Sequence, residues 1–216
     1  MPKPSPQSQV EFREVATGLW IWRLQHPHWK AGQGWEPLVT CTCVESGGER
    51  LLLDPLAPSP DAPELWERLD ASPPTAVVVL KPDHVRDVDL FVRRYGVPAF
   101  GPRLFFRWDL PETELKFIEP GSLLPGGLVA VYDGRGRNET PLWLPEQRAL
   151  VFADALTAPE GSGLRVWASP SYQARALPAL RALLELPFEY VIVSHGEPVH
   201  SRAAFERALE IEPWKG

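Results

Sequence analysis

Three apolar stretches of this chain run straight into residues that can hold a metal ion or move a proton: VVVLKPDHVRD, LVFADAL and YVIVSHGEP. Imidazole and carboxylate groups ligate transition metals and serve as general acids or bases. His84, Asp87, Asp154 and His195 are therefore candidate metal ligands, and His84, Asp154 and His195 candidate catalytic residues. Each follows a stretch with strand character, and in open α/β sheets ligands bind at the carboxyl ends of strands. Taken singly, such a residue is more often a cap or a turn residue than a ligand. Scarcity narrows the search, because only five histidines are present: His26, His28, His84, His195 and His200. His26 and His28 form an HxH pair in a Trp-rich loop after a strand, which favours a pocket-lining or surface role over ligation. Cys41 and Cys43 share one face of a strand with no partner cluster, so they read as small buried side chains rather than zinc ligands. The chain has no Walker loop, Rossmann fingerprint, Gly-x-Ser-x-Gly elbow or basic aromatic strip.

The elements that must position these residues follow from pattern. Residues 15–24 (VATGLWIWRL) read as a strand, and 38–44 (LVTCTCV) alternate as a strand should. The turn SGGE joins the latter to RLLLD in a hairpin. Asp61 to Leu69 reads as a short helix with Asp61 as N-cap and Pro63 in its first turn. Thr75 to Leu80 is wholly apolar, as expected of a strand covered on both faces. After the polar stretch Lys81 to His84, a helix presents Val88, Phe91, Val92 and Tyr95 on one face and closes at Gly96. Short strands are expected at 115–118, 128–132, 141–144, 149–152 and 190–193, a helix through Leu177, Leu180, Leu183 and Leu184, and a closing helix from Ser201 that buries Phe205, Ala208 and Leu209. Two β-rich stretches each leading into helices predict two packed sheets with helices outside, an α/β (α+β) fold.

Composition bounds the rest. With 216 residues, 44% apolar and 23% charged, the chain fits one soluble globular domain over 1–216, with a polar Pro-rich leader at 1–12. The net charge of −6 disfavours nucleic-acid and anionic-membrane binding. No apolar run approaches the roughly 20 residues of a membrane span, and the N-terminus lacks a signal-peptide pattern, so the expected compartment is the cytoplasm. Proline (25) is abundant and arginine (17) far outnumbers lysine (5), a skew shared by thermophilic usage and by GC-rich coding.

Taken in order, LLLDP, VVVLKPDHVRDV, PLWLPEQRALVFADAL and VIVSHGEPV resemble the metallo-β-lactamase fold superfamily across residues 15 to 200. The resemblance implies an αββα four-layer sandwich. It also implies a site built on an HxHxDH loop, and here that motif is degenerate. Its first histidine becomes Pro82, its second is kept as His84, its Asp becomes Arg86 and its last His becomes Asp87. The family's third-strand histidine falls within 133–139, near Arg135, where no histidine stands. Asp154 keeps the bridging carboxylate and His195 the last imidazole. The family's early hairpin overhangs the active site, which implies an apolar wall from Trp20, Trp22, Trp29 and Trp35, at least two of them expected in the core.

A dinuclear site of the family type acidifies a water so that hydroxide attacks an ester, amide or phosphoester. A guanidinium cannot ligate a cation. The resemblance therefore implies a largely lost dinuclear centre, with Arg86 in place of the second cation's charge, paired with Asp154 or Asp87, and Lys81 beside it. Asp54, Lys81, Asp83, Arg86 and Arg135 would complete the pocket. His84, Asp154 and His195, with or without Asp87, suffice for one zinc, iron or manganese ion. The alternatives are a hydrogen-bonded cluster with no metal, or a metal-free catalyst with His195 or His84 as general base. Two functional classes stay open: a single-metal hydrolase of small ester-like substrates, and a non-catalytic binding or scaffold protein using the old pocket. The expected partner is a small molecule, and a homodimer is one arrangement open to the chain.

Overall fold

The computed structural model describes residues 10–59, 62–131 and 139–215. Alternating strand-forming sequence near the N-terminus builds the antiparallel run β1 (Glu11–Ala16), β2 (Leu19–Gln25), β3 (Leu38–Ser46) and β4 (Glu49–Leu53). The single strand expected over 15–24 is thus a β-hairpin corner. Gly18 breaks it, because φ there is 70° and a Cβ would lie 2.8 Å from the Glu45 carbonyl oxygen. β1 also begins inside the stretch expected to be leader.

From β4 the sheet continues in parallel through β5 (Ala76–Val78), β6 (Ala99–Gly101) and β7 (Leu115–Phe117), giving seven strands in sequence order. Helices α1 (Pro63–Ala71) and α2 (Val88–Tyr95) make the crossovers between the first three parallel strands. α1 starts at Pro63 with Ala62 in the cap position, while Asp61 lies outside the described residues. α2 ends as its sequence requires: Gly96 adopts φ 67° and donates its N–H to the Val92 carbonyl at 2.8 Å.

The second sheet comprises β8 (Val129–Ala130), β9 (Leu142–Leu144) and β10 (Ala149–Val151). After a small ladder, β11 (Leu156–Thr157) with β12 (Arg165–Val166), and helix α3 (Leu177–Ala182), it is completed by β13 (Tyr190–Ile192) and β14 (Val199–Ser201). Its order is β14-β13-β10-β9-β8, with β10 and β13 parallel. The closing helix α4 (Arg202–Ala208) is capped by Ser201, whose Oγ accepts the Ala204 N–H.

Strand alternation sorts the side chains into layers. Leu51, Leu53, Ala76 and Val78 face the inter-sheet core, where they meet Leu142, Leu144, Ala149, Val151 and Ile192 of the second sheet. Their neighbours Leu52 and Val77 turn outward, with Trp20 and Trp22, onto Leu65 and Leu69 of α1 and Phe91 of α2. Leu150 and Val191 pack the far side against Leu180 of α3 and Phe205 of α4. The result is the expected αββα sandwich. Cys41 and Cys43 are buried in the first outer layer, as small core side chains. Among the described residues no helix is long and apolar enough to cross a membrane.

Candidate functional site

Strands β4, β5, β10 and β13 all lead toward one end of the sandwich, where Asp54, Lys81, His84, Asp154 and His195 emerge from the turns that follow them. The two sheets are joined there by main chain: Thr40 N–H donates to the Ser194 carbonyl at 2.9 Å, and Val39 forms a β-bridge with His195. Asp54 sits at φ 46° and Arg86 at φ 47°, a left-handed conformation that is uncommon for residues with a Cβ and that functional sites concentrate.

The donor atoms converge. His84, Asp154 and His195 are 5%, 7% and 7% exposed and each offers one ligand atom within 4.8 Å of the others. Asp154 Oδ1 stands 3.2 Å from His84 Nε2 and 3.1 Å from His195 Nε2. Neither imidazole is aligned on it as a hydrogen-bond donor, so Oδ1 is a buried oxygen with no hydrogen bond among the described residues. The other nitrogen of His84, Nδ1, donates to Asp54 Oδ2 at 2.8 Å, and Asp54 Oδ1 accepts the Leu80 N–H at 2.7 Å.

Positive charge surrounds Asp154. Lys81, 4% exposed, places Nζ 2.9 Å from Asp154 Oδ2 and also pairs with Asp83. Burial opposes the lysine charge, but the Asp154 and Asp83 carboxylates outweigh it and raise its pKa. Burial likewise opposes ionisation of Asp154, and the charges of His84 and Lys81 overcome it and hold the carboxyl well below the usual range. In His84, burial and Arg86 disfavour the imidazolium, yet Asp154 and Asp54 on its two sides lift the pKa to about 9. His195 goes the other way: burial, with His84 and Arg86, lowers its pKa against the pull of Asp154. One imidazole is thus charged and the other neutral at pH 7 in the metal-free protein.

Arg86 departs from its expected role. Its guanidinium pairs with neither Asp154 nor Asp87. Nη1 donates to the carbonyls of Asp54 (2.6 Å) and Thr40 (3.1 Å), and Nη2 donates to Ser194 Oγ at 2.7 Å. It ties the ends of β3, β4 and β13 together, and Lys81 supplies the charge beside Asp154 instead. Asp87 is not among the convergent donors: its Oδ2 accepts the Ala57 N–H at 2.7 Å, a loop-pinning bond, and burial raises its pKa. Arg135 lies outside the described residues.

Sequence reasoning missed Glu139. Fully buried, it accepts the N–H groups of Ala153, Asp154 and Ala155 at 2.6 to 2.8 Å, fixing the turn that carries Asp154. Burial and the nearby Asp154 charge push its carboxyl up to about 7 against those donors. Its only sequence signal was a charged residue just before an apolar strand. Gly196 is the other such residue. At φ 81° it packs so closely that a Cβ would fall 1.8 Å from the Ala158 carbonyl oxygen, and the Ala158 N–H donates to the His195 carbonyl at 3.0 Å.

The group opens into a pocket of about 280 Å³ walled by His26, Trp35, Asp83, Arg86 and Trp167. The rings of Trp35 and Trp167 lie 5.0 and 5.9 Å from that of His195. His26 lines the wall, its pKa lowered to about 3 by burial and by Arg86, while His28 is exposed. Trp20 and Trp22 belong to the core; Trp29 holds the overhanging loop by donating Nε1–H to the Trp35 carbonyl at 2.9 Å.

Residues 34–195 match the sequence model of the metallo-beta-lactamase superfamily. The chain belongs to the metallo-β-lactamase superfamily. Solved structures agree. The metallo-β-lactamase FIM-1 from Pseudomonas aeruginosa, in a mono-zinc form, superposes with a TM-score of 0.68 at 20% identity, over 97% of both chains. A metallo-β-lactamase from Pontibacter korlensis gives 0.67 at 19% identity, over 94% of this chain and 100% of the other. One from Erythrobacter litoralis gives 0.65 at 20%, over 93% and 91%. Identities this low establish the fold and not the activity. No curated protein matches.

Members of this superfamily bind metal ions, and the three donors here fit one. Ligands about 2.0–2.1 Å from a tetrahedral zinc stand about 3.3 Å apart, close to the 3.1 and 3.2 Å observed from Asp154 Oδ1 to the imidazole nitrogens. Asp54 supplies the outer carboxylate that a ligating imidazole usually donates to. The unsatisfied Asp154 Oδ1 is the oxygen such an ion would occupy. Among the described residues this is the single His/Cys/Asp/Glu group able to hold a metal ion.

Proposed function

We propose that this superfamily member holds one divalent transition-metal ion, zinc, iron or manganese, on His84, Asp154 and His195 and hydrolyses small ester-like substrates. The observation that carries the reading is the convergence of two imidazole nitrogens and one unsatisfied carboxylate oxygen at the floor of a pocket. A bound ion of this kind contributes Lewis acidity, polarising a substrate oxygen and acidifying water.

The remaining residues prepare the site. Asp54 holds the Nδ1–H of His84 and so leaves Nε2 as the ligating nitrogen. Lys81 engages Asp154 Oδ2 and leaves Oδ1 to face the imidazoles, which favours one ion over two. Glu139 locks the backbone at Asp154. Arg86, whose side chain lines the pocket, contributes fixed positive charge where an ester develops negative charge. Trp35 and Trp167 shield the site from bulk water, which strengthens each of these electrostatic effects.

One observation favours a second reading, a non-catalytic binding protein with a metal-free cluster. With His84 protonated, Asp54, His84, Asp154 and Lys81 already form an alternating chain of charges. Metal analysis of protein purified without chelators separates the two. The hydrolase reading expects about one equivalent of transition metal, lost with ester turnover in Asp154→Asn and His195→Ala. Protein that carries no metal, takes up none from added zinc, iron or manganese, and melts identically with and without EDTA establishes the second reading.

A further inference from the structure

A second pocket of about 280 Å³ adjoins the first and shares Trp35 and His195 with it. It is lined further by Thr157 of β11 and Pro159 beyond it, by Gly196, and by Trp214 from the C-terminal segment. That segment is held in place: the Trp214 N–H donates to the Val166 carbonyl at 2.8 Å, and the Trp214 carbonyl accepts the Ala168 N–H at 2.7 Å. Trp167 and Trp214 form a parallel β-bridge, with Trp167 lining the first pocket and Trp214 the second.

The two pockets differ in chemistry. The first holds Asp83, His84, Arg86 and Asp154. The second has one charged side chain among its described lining residues, Glu36, and that carboxylate is engaged by the Glu160 N–H at 2.7 Å. Its walls include two indoles, an imidazole and a proline ring beside the polar Gln33 and Thr157, and the rings are surfaces suited to stacking and edge-to-face contact with a flat ring. Neither pocket alone reaches the roughly 300 Å³ at which ordinary ligand sites begin, and the pair exceeds it.

We propose that the second pocket is a recognition subsite for an aryl group of the substrate, with Trp214 as its specificity-determining residue. The reacting carbonyl of such a substrate lies beside Asp154 and His195, and its ring reaches across the His195 imidazole to Trp214. The catalytic half of this statement rests on the hydrolase reading above. The binding half does not.

The test uses full-length protein and two readouts. Calorimetry measures binding of 2-naphthoate and of acetate to wild type and to Trp214→Ala. Steady-state kinetics measures kcat/KM for ethyl benzoate and ethyl acetate, whose ratio is insensitive to any loss of folded protein. Loss of one indole partner is expected to weaken naphthoate binding about tenfold and to lower the benzoate-to-acetate ratio about tenfold through KM, with Trp214→Phe restoring most of both. Wild-type binding of naphthoate no tighter than acetate, or an unchanged ratio in Trp214→Ala, overturns the subsite. If Trp214-dependent naphthoate binding is found and no ester is turned over, the subsite stands and the hydrolase reading falls.

Discussion

The two histidines at the site are held by opposite means. His84 is fixed by charge: Asp54 takes Nδ1, Asp154 faces Nε2, and Lys81 balances the second carboxylate from its far oxygen. His195 has no such partner at Nδ1 among the described residues. It is placed by packing, through the Val39 bridge, the close approach of Gly196 to Ala158, and the flanking rings of Trp35 and Trp167. The first-sheet half is thus preorganised electrostatically and the second-sheet half sterically. A buried charge network holds atoms to hydrogen-bond tolerance but brings protons into the site. A packed neutral imidazole brings none, and its precision depends on the backbone beneath it.

Breaking the packed half has the largest expected effect. In Gly196→Ala the new methyl meets a main-chain oxygen that cannot move aside, and the residue is forced into φ 81°. Strain and overlap together cost about 4 kcal/mol, read as a fall in Tm on the order of 10 °C. A melting curve that superposes on wild type removes packing as the device that places His195.

Breaking the charged half comes next. Lys81→Met leaves the Asp154–Asp83 side of the network without its cation, and removal of one partner of a buried pair costs about 3 kcal/mol. Denaturant unfolding reads the loss directly. A neutral or stabilising result shows that the network is dispensable to the fold.

The third experiment sharpens the contrast through pH. Below about 9 His84 carries a proton that an incoming metal displaces, so apparent affinity rises with pH, about tenfold per unit, and levels near 9. His195, with its lowered pKa, adds no such slope above neutrality. Asp54→Asn removes one of the carboxylates that raise His84, so the plateau moves to lower pH while affinity there falls about 10–100-fold from the lost outer contact. Chelator-competition titrations at several pH values check both. An identical profile and affinity in the variant excludes Asp54 as the support of His84. In the metal-free protein the same raised pKa stabilises the fold below the unfolded value of 6.5, and that contribution is lost as pH climbs through about 9.

Much of the architecture was legible in residue order. The apolar run ending at Leu80 and the Val88, Phe91, Val92 and Tyr95 stripe each dictate an element by burial alone, because period and length leave few alternatives. Strand ends marked by His84, Asp154 and His195 likewise announced residues that meet, whereas Asp87, expected to join them, does not. Less legible were the strands β6, β11, β12 and β14, short segments that lie in no apolar run of their own, unlike the equally short β5 and β13.

What the amino-acid sequence determined by itself was the family, the sandwich, and which residue types stand at each strand end, since a proline or an arginine cannot do an imidazole's chemistry wherever the chain places it. Tertiary structure alone decided the rest. Arg86 became a clamp between two sheets because three acceptors from distant strands met at its guanidinium, while the charge beside Asp154 fell to Lys81. Asp87 turned to a loop N–H. Glu139 gained its role from three amides 14 to 16 residues further along the chain. Hydrogen bonds and ion pairs reach only a few ångströms, so residue type states what a group can do, and only the fold settles which partner is near enough to make it do so.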